Sequence, residues 1–237
     1  MEFFEPPTAR LRPPRRERRR MPPWLGAPNG SLPGVIPLEL VLARTAQVAV
    51  CVSRLGAYPS GFALDLVTMA SEEADELDPL LFGRHRLRHR RRRDGIHEIP
   101  EEMLRFGVEF ADGTKATNTA DGPLADLAGG TTSVLTMESR SETPQAPPGP
   151  VLRLGGGGGG GGNWRQSIWI WPLPPPGRLT FVCQWPEANI ELTRHDIDAQ
   201  LVLDAAARAQ VIFSDALPEP TASTDERGAE QQEKPTT

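Results

Sequence analysis

A chain of 237 residues with 25 prolines, 23 glycines and two cysteines has room for one sizeable core, while its composition takes much of the rest out of regular structure and excludes a disulfide framework. The net charge of −5 conceals segregation: residues 1–20 hold seven Arg against three Glu, residues 84–94 hold seven Arg against one Asp, and the remainder carries 12 basic and 27 acidic residues. An acidic body with two basic patches disfavours broad nucleic-acid binding, and no segment is apolar enough for a bilayer, since Val35 to Tyr58 is broken by Glu39, Arg44, Gln47 and Arg54.

Taken in order, residues 1–23 combine Pro and Arg with little to bury and are expected to be a disordered basic arm. They are not followed by the apolar run of a secretory signal, so the expectation is a soluble cytoplasmic protein without a membrane partner. A single β-rich domain is expected over residues 24–213. It opens on a Pro/Gly loop whose Trp24 tacks the segment to the core. Ile36, Leu38, Leu40 and Leu42 then share one face. After a break near Arg44 and Thr45, Val48, Val50 and Val52 do the same, which fits two antiparallel strands joined by a tight turn best, with a helix over the Leu-rich half as the alternative. Tyr58, Pro59, Ser60 and Gly61 make the next turn, and Phe62, Leu64 and Leu66 give a third strand ending near Met69.

Residues 71–100 read as a charged insert, acidic and then basic. Alternation returns at Leu104, Phe106, Val108 and Phe110, which face inward against Arg105 and Glu109. The Asp112-Gly113 turn and a short edge strand, Lys115 to Asn118, follow. Residues 119–163 are Gly/Pro-rich and expected to be flexible, apart from a short strand at Val151 to Leu154. The eight glycines Gly155 to Gly162 are expected to form a hairpin loop, because no helix with a Lys and a hydroxyl residue follows them as phosphate binding requires.

The densest apolar segment runs from Trp164 to Trp185. It predicts two strands, Ser167 to Leu173 and Leu179 to Trp185, meeting at a corner built of Pro174, Pro175, Pro176 and Gly177. In the second strand Leu179, Phe181, Cys183 and Trp185 share a face. In the first, Ile168 and Ile170 face one way and Trp169 and Trp171 the other. Such a strand is either covered on both sides or presents its tryptophans to a partner. A helix is expected next, capped by Thr193, with Asp196 and Asp198 in its first turn and Ile197, Leu201 and Ala205 along its buried face. Residues 214–237 have almost nothing to bury and are expected to be a disordered acidic tail.

Candidate chemistry is sparse. His85 and His89 have the spacing of a metal pair but sit among arginines whose field opposes a cation, and Cys51 and Cys183 read as small buried hydrophobes. No catalytic residue, metal ligand or cofactor-binding residue is assigned. Trp169 and Trp171 form the candidate binding surface for another protein or a small ligand, against the simpler reading of core packing beneath the helix. Arg84, Arg86, Arg88, Arg90, Arg91, Arg92 and Arg93 are the candidate anion or nucleic-acid contact, against the simpler reading of a solvated loop lacking interleaved aromatics. A third reading is hydrolysis at an assembled acidic site using Glu109, Asp112 or Asp196.

The phrases RFGVEFADGTKATN, IWIWPLPPPGRLTFVCQWPEANIELTRHDID and LVLARTAQVAVCVSRLGAYPSGF together resemble an uncharacterised family of actinobacterial proteins, over roughly Trp24 to Phe213. The resemblance implies no activity and no functional residues. From the residues themselves, the expected fold is mainly β: an antiparallel, two-sheet, sandwich-like domain with one C-terminal helix and disordered termini. The expected function is a non-enzymatic binding or interaction module, with weak nucleic-acid association next and hydrolysis third.

Overall fold

The computed structural model describes residues 21–72, 103–119 and 146–213. Most of the basic arm and of the charged insert, the first half of the Gly/Pro-rich region and the acidic tail lie outside the described residues, and so do all seven candidate arginines, Arg84 to Arg93.

The fold is mainly β and every strand pairing is antiparallel. The strands are β1 (Ser31–Leu32), β2 (Gly34–Ile36), β3 (Leu40–Arg44), β4 (Val48–Tyr58), β5 (Gly61–Ala70), β6 (Arg105–Glu109), β7 (Lys115–Thr117), β8 (Val151–Gly160), β9 (Asn163–Trp171), β10 (Arg178–Trp185), β11 (Ile190–Asp198) and β12 (Gln210–Val211), with helix α1 (Gln200–Ala207) between the last two. One sheet runs β2-β4-β5-β9-β8, with β3 sharing the β2 edge of β4; a second runs β11-β10-β6-β7; β1 and β12 form a small ribbon. The core lies between the two larger sheets. Leu55, Phe62, Leu64, Ile168 and Ile170 from the first meet Phe106, Leu179, Phe181, Cys183 and Trp185 from the second, all fully buried. Each side chain of that size is worth about 1.5–3 kcal/mol when withdrawn from water, so this interior sets the sandwich.

Two strands change face partway. In β4, Val48, Val50 and Val52 point inward as their alternation demands, but a bulge between Val52 and Arg54 shifts the phase, and Leu55 and Ala57 become the buried residues. A second bulge between Val41 and Ala43 buries both Leu42 and Ala43 in β3. An extra residue in one strand of a pair has this effect because the side-chain period is two. The proline knuckle takes the predicted role: β9 belongs to the larger sheet and β10 to the smaller, so Pro174 to Gly177 carries the chain from one layer to the other.

Two expectations are corrected. Thr193, Asp196 and Asp198 do not open a helix but lie on β11, where Thr193 Oγ1 donates to the Cys183 carbonyl at 3.3 Å and Thr180 Oγ1 donates to Asp196 Oδ1 at 2.6 Å. The inner edge of β10 needed a strand partner, and the alternation of Thr193, His195 and Ile197 against Arg194, Asp196 and Asp198 supplies one. The helix starts only at Gln200, whose N–H donates to Asp198 Oδ1 at 2.9 Å, and it buries Val202, Ala205 and Ala206 while Leu201 is exposed.

The glycine run is the other correction. Gly155 to Gly160 form a strand rather than a loop: Gly157, Gly158, Gly159 and Gly160 pair with Gln166, Arg165, Trp164 and Asn163. Only Gly161 and Gly162, with φ of +58° and +78°, make the two-residue turn that hairpins favour. The side chains missing from β8 are replaced from β9. A Cβ on Gly157 would stand 2.8 Å from Gln166 Oε1 and 3.1 Å from the Trp164 ring, so β9 fills that space itself.

Candidate interaction surface

The two tryptophans of interest point away from the sandwich interior. Ile168 and Ile170 occupy the core side of β9, and the alternation sends Trp169 and Trp171 to the outer face of the larger sheet. Trp169 is nevertheless only 6% exposed. Its cover comes from the described start of the chain. The Trp169 indole N–H donates to the Pro23 carbonyl at 3.0 Å, across 146 residues of sequence. Trp24 meets Trp171 edge-on with ring centroids 6.0 Å apart, and Tyr58 meets Trp169 in the same manner at 5.7 Å. Such pairs add about 0.5–1.5 kcal/mol beyond their area. Helix α1 packs on β4 and β2, so the tryptophans are covered by this segment and not by the helix.

The floor of the site depends on a glycine. A Cβ on Gly61, at the β4–β5 turn, would stand 2.7 Å from Trp169 Cζ2 and 2.5 Å from the Ile170 carbonyl, so the indole edge and that carbonyl occupy the space any other side chain would need. The covering segment is itself turned, with the Leu25 N–H donating to the Pro22 carbonyl at 2.9 Å. One of its polar groups is left over: Trp24 Nε1 is buried with no hydrogen-bond partner among the described residues. Tyr58 and Pro23 were not singled out by sequence, because the register that sets Ala63 beside Trp169, and with it the β4–β5 turn, is a tertiary fact.

The remaining candidates are dispersed. Glu109 lies on the outer face of the smaller sheet, bonded by Arg194 at 2.9 Å with Lys115 at 3.7 Å, and the Arg194 bond, assisted by Lys115, holds its carboxyl below the usual range. Asp112 accepts from the Thr114 N–H and hydroxyl at 2.9 and 2.6 Å, which lowers its pKa as well and identifies it as a turn residue. Asp196 is engaged by Thr180 and lies 3.8 Å from Arg178. His195 Nε2 is 2.7 Å from the Leu42 carbonyl, tying the second sheet to the first. Burial pushes the Cys183 thiol up to about 12, and Cys51 is raised for the same reason, so neither has the character of a nucleophile. A cleft of about 330 Å³ lined by Val35, Pro37, Leu38, Glu39, Arg54 and Leu55 contains none of the predicted site residues.

Among the described residues there is no group of three or more His, Cys, Asp or Glu side chains able to hold a metal ion, and no helix long and apolar enough to cross a membrane. Comparison of the chain with protein-family models, with curated proteins and with solved structures gives no match.

Proposed function

We propose that the protein is a non-enzymatic interaction module that holds a proline-containing segment of a protein partner against Tyr58, Trp169 and Trp171. The observation that carries this reading is the bond from the Trp169 indole to the Pro23 carbonyl. A proline-containing segment has its φ preset, loses little entropy on docking, and offers carbonyls and ring faces in place of N–H donors. An aromatic floor with an indole N–H at its centre meets those needs. The chain's own Pro22-Pro23-Trp24 fills the site in cis, and a partner segment of the same chemistry competes for it.

The cover is suited to exchange. An indole N–H buried without a partner, as Trp24 Nε1 is, costs roughly 1–3 kcal/mol, and releasing the segment returns that group to water. Such a module suits the cytoplasm, where Cys51 and Cys183 stay reduced.

The test is a titration of the full-length Trp24→Ala variant with a synthetic peptide of residues 21–28, MPPWLGAP, followed by tryptophan fluorescence. Saturable binding is expected, at least ten-fold tighter than to the wild-type chain, whose own segment competes. Adding Trp169→Phe, which keeps an aromatic ring but removes the donor, is expected to weaken binding about five-fold, the equivalent of one net hydrogen bond of about 1 kcal/mol. No saturable signal from a Trp24→Ala variant that retains the wild-type circular dichroism spectrum would overturn the reading.

A further inference from the structure

We propose that the outer edge of β8 is a second association surface, and that its partner is the same edge of a second copy of the chain. This rests on observations separate from the aromatic face. The larger sheet ends at β8, and no strand among the described residues bonds its outer side. Soluble proteins ordinarily blunt such an edge with charges, proline or a covering loop. Here Gly155 to Gly160 are six exposed glycines in succession.

Glycine is a poor strand former because it has the most backbone freedom to lose. This strand is held straight from one side. The Gln166 side-chain amide, itself buried, donates to the carbonyls of Gly155 at 2.9 Å and Gly156 at 3.3 Å, pinning the bulge that precedes the regular pairing. Trp164 lies over Gly157. The turn's Gly162 carbonyl accepts the Ala70 N–H at 2.7 Å, which anchors the hairpin tip to β5.

The register then fixes what the open edge offers. A two-residue turn at Gly161 and Gly162 makes Gly160 and Asn163 a hydrogen-bonded pair. Antiparallel alternation makes Gly158 and Arg165 the next one, so the N–H and C=O groups of Gly157 and Gly159 point to the free side. That pattern is complementary to itself. With a two-fold axis through Gly158, Gly157 of each copy stands opposite Gly159 of the other, and the two pairs exchange N–H···O=C bonds in both directions. Around the Cβ positions of Gly156, Gly158 and Gly160 nothing lies within 4 Å among the described residues, so a side chain introduced at Gly158 meets no neighbour within the chain. A glycine strand also has no pockets with which to select a foreign sequence, which favours a second copy over an unrelated strand.

The experiment is sedimentation velocity of the full-length protein over a hundred-fold concentration range, paired with amide hydrogen exchange. A concentration-dependent dimer is expected, with exchange at Gly157 and Gly159 slowing at least ten-fold at the highest concentration. Gly158→Asp sets two carboxylates face to face across the axis and is expected to weaken dimerisation at least ten-fold at low salt, while Gly158→Val, with higher strand propensity, dimerises at least as tightly as wild type. A wild-type chain that stays monomeric, a dimer that leaves exchange at Gly157 and Gly159 unchanged, or a folded Gly158→Asp variant that dimerises like wild type would each overturn the proposal. The exchange measurement on wild type decides the matter even where a variant fails to fold. None of these results depends on peptide binding at Trp169.

Discussion

The two sheets of this sandwich share one interior but have opposite outer faces. Outside the smaller sheet, Arg105 donates to Gln184 at 3.0 Å, Arg194 bonds Glu109 at 2.9 Å, and Thr180 bonds Asp196 at 2.6 Å. This is a polar ladder of hydrogen bonds and ion pairs that run from strand to strand within the sheet. Outside the larger sheet, Trp169 and Trp171 carry large apolar area that water does not satisfy, and the chain recruits Pro22 to Trp24 from the far end of the sequence to cover it. A face of large apolar side chains requires a cover, and here the cover is a segment distant in sequence. A face of polar and charged groups can be left to water and to its own neighbours.

That contrast can be broken experimentally, and the largest effect is expected on the aromatic side. Trp169→Ala removes the floor, the donor to Pro23 and the contact with Tyr58, and should cost about 3 kcal/mol in urea denaturation. It should also open residues 21–28 to limited proteolysis; a stable variant with an unchanged digestion pattern would show the cover to be independent of Trp169. Next in size is an alkaline limb set by the interior between the faces. The folded-state pKa of Cys183, about 12, lies above its ordinary 9.0. Its contribution is therefore complete below pH 9 and is lost as pH rises toward 12, by a few kcal/mol at most. Cys183→Ala should flatten that limb in melting curves recorded between pH 8 and 11.

A smaller effect belongs to Trp169→Phe, which keeps most of the apolar area and deletes the indole donor. A loss of about 1 kcal/mol is expected, with acrylamide quenching of the remaining tryptophans, Trp24 included, increased. The smallest belongs to the ionic face. Glu109→Gln breaks the ion pairs with Arg194 and Lys115, and chemical denaturation should register the smallest change of the series, shrinking further in high salt. The sign with pH is the reverse of that for Cys183. Because the Glu109 carboxyl is held below its ordinary value of 4.5, its contribution is present above that pH and disappears as pH falls through the lowered folded-state pKa. A wild-type acid limb indistinguishable from that of Glu109→Gln would show that the ladder does not act on stability.

Much of the layer architecture was legible because alternation is a local property. Phe106, Val108 and Phe110, and likewise Leu179, Phe181, Cys183 and Trp185, announce one buried face each and are buried. The proline corner was equally legible, since three consecutive prolines have no N–H to give a strand's ladder. The helix start was not. Thr193, Asp196 and Asp198 carry a capping pattern, and the same nine residues, Ile190–Asp198, carry a strand pattern; the unsatisfied edge of β10 decided between them. The glycine run misled for a related reason. Gly155 to Gly160 have no side-chain pattern to read, and their strand exists because Trp164 and Gln166 reach across from β9.

By itself, then, the sequence determined that the chain makes short antiparallel strands with one strongly apolar segment at Trp164 to Trp185, because side-chain periodicity and proline chemistry act over a few residues. It also determined that Ile168 and Ile170 oppose Trp169 and Trp171, since neighbouring positions on a strand must. Only the tertiary structure decided which pair would be core and which would be floor. That choice is made by contacts far apart in the chain: Leu64 and Phe62 beside Ile168 and Ile170 in the sheet, and Pro23 reaching Trp169. No local pattern carries the register of such contacts, and the same holds for the place of β8 at the end of the larger sheet among the described residues, which is a property of the whole strand order.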